Sequence, residues 1–146
     1  MSRTRIFVLY DPEHDSDLDE LLRAQSRRPG SSFEVMARTG RDRSGRGFGV
    51  GDRLEIKSAD EVIVICGEHT HESAVVADEL SMVQEEKTPY MLLWGRPGVM
   101  CTRPDGSRNT DAMYSWTREI LESQIQATLR NARPIVVPAN CRRLPH

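Results

Sequence analysis

One acidic side chain stands where an apolar one is expected. Residues 73–87, SAVVADELSMVQEEK, read as an amphipathic helix. At about 100° per residue with Val75 at zero, Val76 falls at about 100°, Leu80 at about 140°, Met82 at about −20° and Val83 at about 80°. Glu79 lands at about 40°, in the middle of that apolar stripe, whereas Asp78 and Glu85 fall on or near the polar side. A carboxylate at this angle faces the core. Burying it costs several kcal/mol unless it is paired, hydrogen-bonded or protonated. Groups held in that way can act as general acids or bases, or as fixed negative charges beside a developing cation. The structural alternative is a glutamate whose head reaches solvent or pairs with an arginine.

Three other groupings invite a chemical reading. Glu68-His69-Thr70-His71-Glu72 is dense in metal-ligating types, but it lacks the H-E-x-x-H spacing. Only His14 and His146 remain elsewhere, too few for a closed zinc site, so no metal is expected. Cys66 has no histidine base close in sequence and reads as a buried structural thiol. Gly45, Gly47, Gly49 and Gly51 suggest a phosphate loop, yet the G-x-G-x-x-G spacing fails at Val50 and no strong strand directly precedes the run.

These residues need a frame to position them. Arg5–Tyr10, Asp60–Gly67 and Pro89–Gly95 are continuous β-branched, aromatic or aliphatic runs of the kind found in strands buried on both faces. Phe33–Met36 is a shorter strand candidate. Leu18, Leu21 and Leu22 share one face of a helix that Asp15 or Ser16 can cap. Tyr114–Arg130 reads as a last helix, with Leu121, Ile125 and Leu129 on one stripe. Residues 38–53, with five glycines and five arginines, read as a basic loop without regular structure. The alternation of strands and helices predicts a single α/β domain, a three-layer sandwich with a mostly parallel sheet of four or five strands. A fifth strand has two candidates, Val99–Thr102 and Ile135–Val137. The core is expected over about residues 5–130, with an irregular tail holding Pro134, Pro138 and Pro145.

Ligands of such sheets bind beyond the carboxyl ends of the strands. The segments to search are therefore Tyr10-Asp11, Arg38 onward, Gly67 to Ser73, and Gly95-Arg96. Arg38 and Arg96 could hold a diphosphate through bidentate guanidinium contacts, or simply line a solvated face. Trp94 and Trp116 could stack on a planar ring or belong to the core. Ser73 could contact a ligand or cap the helix that follows it. Tyr10 and Asp11 offer an aromatic wall and a polar contact.

At 146 residues, with 38% hydrophobic and 29% charged positions, the chain is too short for a TIM barrel or a protein kinase. A net charge of −2 argues against nucleic acid or an acidic membrane as partner. The acid excess lies in residues 54–95, which hold nine of the acidic residues and two of the basic ones. Three scattered cysteines fit a reducing compartment, and no apolar run approaches the roughly 18 residues of a membrane span. A cytoplasmic protein is the expectation.

The order of these pieces resembles the TIR domain. There a buried strand leads into S-x-W-x-x-x-E-L at the start of the third helix; Ser73, Glu79 and Leu80 fit that spacing, and Val75 stands in the tryptophan position. The chain is most similar to the bacterial TIR-like branch that includes the TIR component of the Thoeris anti-phage system. There a polar T-x-x-S turn, matched by Thr70 and Ser73, follows the strand. The further matches are Pro89–Gly95, Cys101-Thr-Arg-Pro104 and Tyr114-Ser-Trp-Thr117. This resemblance implies a flavodoxin-like sheet, self-association, and in many members cleavage of the nicotinamide–ribose bond of NAD+. NAD+ would then be a substrate, and no cofactor is implied. The catalytic glutamate of the family falls on Glu79, and the polar turn implies substrate contacts near Gly67 and His69. Within that branch the product would signal to a separate effector protein. Two other readings stay open: a non-catalytic adaptor that works by self-association, and a nucleoside deoxyribosyltransferase-like enzyme.

Overall fold

A computed structural model describes residues 3–36 and 50–132 of the 146-residue chain. Its elements run β1 (Thr4–Leu9), α1 (Ser16–Ser26), β2 (Phe33–Val35), α2 (Val50–Ser58), β3 (Glu61–Cys66), a 3-10 turn (Thr70–Glu72), α3 (Ala74–Glu86), β4 (Tyr90–Trp94), β5 (Met113–Ser115) and α4 (Arg118–Ala132). The five strands form one parallel sheet in the order β2-β1-β3-β4-β5.

The central strands are buried because both their faces are covered. All six residues of β3 and the last four of β1 are buried. Side chains alternate between two cores, as the period of two requires. Ile6, Val8, Ile63, Ile65, Met91 and Leu93 meet Leu18 and Leu22 of α1 and Leu121 and Ile125 of α4. On the other face Phe7, Leu9, Val62, Val64 and Leu92 meet Ile56 of α2 and Val76, Leu80 and Val83 of α3. The result is a flavodoxin-like α/β sandwich of three layers.

Several local expectations need correction. The fifth strand is Met113–Ser115, not Val99–Thr102, and α4 begins at Arg118 rather than Tyr114. The stretch from Tyr114 is therefore strand, turn and then helix, with Thr117 accepting from the Ile120 amide through its hydroxyl. The basic loop ends sooner than its glycines suggest, since α2 starts at Val50. Leu21 is 45% exposed and contributes little to the core. Asp15 stands before α1 without capping it through its side chain. Arg38, the Ile135–Val137 candidate, the proline-bearing tail and most of the glycine-rich run lie outside the described residues.

Helix α3 is well delimited. The Ser73 hydroxyl accepts from the Val76 amide at 3.2 Å, and Lys87 takes the left-handed conformation at the other end (φ 59°). The Thr88 hydroxyl then donates to the Ile56 carbonyl at 3.1 Å, tying the end of α3 to α2. Among the described residues no helix is long and apolar enough to cross a membrane.

Candidate functional site

Glu79 is the sixth residue of α3 and is fully buried, at 0% exposure. Its neighbours on the helix, Val76, Leu80 and Val83, pack on the β1/β3/β4 face. The helical wheel therefore located this carboxylate correctly: it lies inside the fold and does not point into bulk water.

The other candidates gather at the carboxyl ends of the strands. Two close contacts bring the chain together there. A β-carbon on Gly95 would stand 2.8 Å from the Cys66 carbonyl and 2.7 Å from Leu18 Cδ1, so only glycine lets β4 leave the sheet against β3 and α1. A β-carbon on Gly67 would stand 2.5 Å from Asp15 Oδ2. The turn after β3 is closed by the Gly67 amide donating to the buried Thr70 hydroxyl at 2.7 Å. Loop 95–112 is pinned onto that turn by Thr102, whose amide donates to the Gly67 carbonyl at 2.8 Å. The Thr102 hydroxyl lies 3.0 Å from the His71 amide and 2.9 Å from His71 Nδ1.

Asp11, one residue from the end of the first predicted strand, is 5% exposed. Its carboxylate accepts from the Glu13 amide at 3.0 Å and bonds His14 Nδ1 at 2.7 Å. The His14 ring stacks on His69 with centroids 4.1 Å apart. The Asp11 hydrogen bond, helped by the charges of Asp11, Glu13 and Asp15, raises the His14 pKa above its ordinary value. Asp11, Glu13 and His14 offer donor atoms within 4.8 Å of one another, the one set of three among the described residues that could approach a cation. Two of the three are exposed and His14 is already bonded to Asp11, so this cluster by itself does not make a metal site.

Arg96 is strongly engaged. It donates to Asp15 Oδ1 at 3.1 Å, to Asp17 Oδ1 at 2.8 Å and to the His14 carbonyl at 2.9 Å. Asp15 is 1% exposed, and desolvation raises its pKa against the opposing pull of Arg96. At exposed Asp17 the Arg96 hydrogen bond wins, and that carboxyl is held below its ordinary range. The arginine thus fastens loop 95–112 to the start of α1, with its donors turned toward protein acceptors.

Tyr10 packs against the α1/α4 core. Ser73 caps α3. Trp94 and Trp116, in contrast, line one cleft of about 470 Å³ together with Pro97, Ser115 and Thr117. The structure thus links Asp11, Gly67, His69 and Arg96 in one connected patch, and joins the two tryptophans in a second feature one strand away. Sequence reading missed Asp15 and Thr102, which organise the patch. Asp15 looked like a helix cap, and nothing around Thr102 marks its partners 31 or more residues away.

The thiol of Cys66 is buried among apolar side chains, and burial pushes it up to about 12. A thiol with that pKa holds almost no thiolate at neutral pH, which disfavours nucleophilic catalysis there.

Comparison with family models and with curated proteins gives no match. Among solved structures, the chain is similar to the TIR domain of a Toll-related receptor from Hydra magnipapillata, with a TM-score of 0.58 and 17% identity over 88% of this chain and 98% of that one. It is also similar to a prokaryotic SEFIR domain, with a TM-score of 0.51 and 18% identity over 87% of this chain and 96% of that one. At this level of identity the likeness is one of fold, and the fold of this chain is TIR-like.

Proposed function

We propose that this chain is an NAD+-processing enzyme that breaks the nicotinamide–ribose bond, with Glu79 as its catalytic residue. One observation carries the reading: a carboxylate fully buried on the helix that follows β3 in a TIR-like parallel sheet.

The chemistry asks little else of the protein. The pyridinium nitrogen of NAD+ is cationic, so the C1′–N bond can break with its electron pair passing to the ring, and neutral nicotinamide leaves without prior protonation. Positive charge then develops on the ribose, as in other glycosidic cleavages. A fixed carboxylate near the ribose hydroxyls stabilises that charge and is already in place when it forms. Water, or a hydroxyl of the same nucleotide, closes the reaction by bonding C1′ and losing its proton. Asp11, Gly67, His69 and the other polar groups at the strand ends would orient the substrate. The ADP-ribosyl product would serve as a nucleotide signal to a separate effector, in bacterial anti-phage defence.

The test is release of free nicotinamide from NAD+ by the purified protein, followed by chromatography. Glu79→Gln is expected to lower the rate at least about 100-fold while far-UV circular dichroism stays as in the parent. Undiminished turnover by a folded Glu79→Gln protein overturns the proposal. Two exposed apolar side chains, Met100 at 74% and Leu54 at 58%, favour a second reading, an adaptor that works by self-association. It predicts concentration-dependent oligomers with no nicotinamide release from either protein.

A further inference from the structure

We infer that the cavity at the amino end of β4 is a binding site for the phosphomonoester of a small hydroxylated molecule, separate in its contacts from Glu79. The cavity measures about 460 Å³, within the range usual for small-molecule sites. Four elements close around it: Gln84 and Lys87 at the end of α3, Tyr90 at the start of β4, Arg108 and Asp111 before β5, and Thr128 late in α4. Because the strands are parallel, these residues lie at the opposite end of the sheet from Gly67 and Gly95. The walls are already tied together. The Tyr90 hydroxyl donates to Asp111 Oδ2 at 2.5 Å and accepts from Gln84 Nε2 at 3.2 Å. Asp111 Oδ2 also accepts from the Arg108 amide at 2.9 Å, and Arg103 donates to the carbonyls of Arg108 and Asp111.

The charges on this lining do not balance. Among the described residues Asp111 is the one acid on it, and two donors already share its Oδ2. Lys87 and Arg108 form no ion pair among the described residues. The acids nearest Lys87 in sequence, Glu85 and Glu86, are both held by Arg53, at 2.9 and 3.1 Å. Lys87 also stands at a left-handed position, φ 59°, where glycine would end the helix at lower cost. Arg108 lies within electrostatic reach of the phenol: burial and the Asp111 bond raise the Tyr90 pKa above its ordinary value, and the Arg108 charge opposes them. Two unpaired cations on one cavity match a dianion. A phosphomonoester carries nearly two negative charges at neutral pH, and a guanidinium can hold it through two N–H groups. A carboxylate would leave one cation uncompensated. The space beyond a phosphate group is lined by Gln84 and Thr128, whose amide and hydroxyl suit a hydroxylated carrier such as a sugar.

Equilibrium dialysis of the full chain against radiolabelled ribose 5-phosphate tests this, with inorganic phosphate and ribose as competitors. Saturable binding of ribose 5-phosphate is expected. Inorganic phosphate should displace it about tenfold less effectively than unlabelled ribose 5-phosphate, for want of the sugar's hydrogen bonds, and ribose should not displace it. Lys87→Gly and Arg108→Gln are each expected to weaken binding about tenfold, the loss of one charge-assisted contact. Lys87→Gly relieves the left-handed backbone, so its thermal midpoint should equal or exceed the parent's, and its weaker binding cannot come from unfolding. Glu79→Gln is expected to bind ribose 5-phosphate like the parent, so this inference and the catalytic proposal can fail independently. Absence of saturable binding at millimolar ribose 5-phosphate, displacement by ribose, inorganic phosphate competing as well as the ester, or affinity unaltered by both Lys87→Gly and Arg108→Gln overturns the inference.

Discussion

The carboxylate of Asp15 lies directly against Gly67, with Oδ2 only 2.5 Å and Oδ1 2.7 Å from the point a β-carbon would occupy. Gly67 does not have a positive φ, so space and not backbone conformation demands glycine here. Gly67→Ala must push back a buried acid that Arg96 holds on its other side. The expected cost is about 1–3 kcal/mol, the usual range for overpacking a filled site. Urea unfolding of the variant measures it, and an unchanged midpoint would show that Asp15 yields freely.

Removing Arg96 attacks the same contact electrostatically. Asp15 is 1% exposed and draws its compensation from this guanidinium, whereas Asp17 is exposed and loses little. Arg96→Met therefore leaves a buried carboxylate uncompensated at neutral pH, at a cost of about 3–5 kcal/mol. Without the arginine the already raised pKa of Asp15 rises further. Once both proteins carry a protonated Asp15 the pair no longer matters, so the stability gap between variant and parent should narrow as the pH is lowered. Unfolding curves at neutral and acid pH check this; a gap independent of pH would mean the loss is one of packing.

Much of this arrangement can be read from local pattern, for reasons specific to each piece. β1, β3 and β4 declare themselves because parallel strands buried on both faces require unbroken apolar runs, as in Val62–Cys66. The burial of Glu79 follows from helical periodicity alone. β5 escapes because Met113–Ser115 is a three-residue strand at the sheet edge, half-exposed, with too few residues for any period to show. α2 escapes because the glycine and arginine run before it masks a weak helix whose described buried apolar residue is Ile56. The ties between Asp15 and Arg96, and between Thr102 and His71, span 81 and 31 residues. They are set by tertiary packing, which leaves no local trace.

The buried cysteines give a chemical check on the packing of the α2/α3 face. Cys66 and Cys101 are free and buried, and Cys66 is raised to about 12 chiefly by burial. Maleimide labelling of the native protein near neutral pH, followed by peptide mass spectrometry, should leave both unmodified. Both should react fully in denaturant. Rapid native labelling of Cys66 would mean that β3 is less well covered than the core contacts of Val64 and Leu92 indicate.

Glu61 supplies the clearest pH signature. It opens β3 opposite Ile6, on the face that carries Ile63 and Ile65, and is 0% exposed. Neither carboxylate oxygen has a partner at full hydrogen-bond geometry. Burial lifts its pKa from 4.5 to about 8, and the nearby Thr128 hydroxyl offsets this only in part. Between those two values the folded protein keeps the proton and the unfolded chain has released it. The unfolded state binds fewer protons there, so stability falls as pH rises, by up to about 1.4 kcal/mol per pH unit. Above about 8 both states are ionised and below 4.5 both are protonated, so the slope from this group vanishes at either end. Glu61→Gln is neutral throughout and lacks this slope. His14 and Asp15 titrate alike in both proteins, so subtracting the parent's curve removes them. Urea unfolding from about pH 5 to about pH 9 should therefore show the variant gaining stability relative to the parent as the pH rises, with the gain levelling off above about pH 8. A constant difference across that range would mean that Glu61 ionises at its ordinary pKa, and that its carboxyl reaches water at the foot of β3.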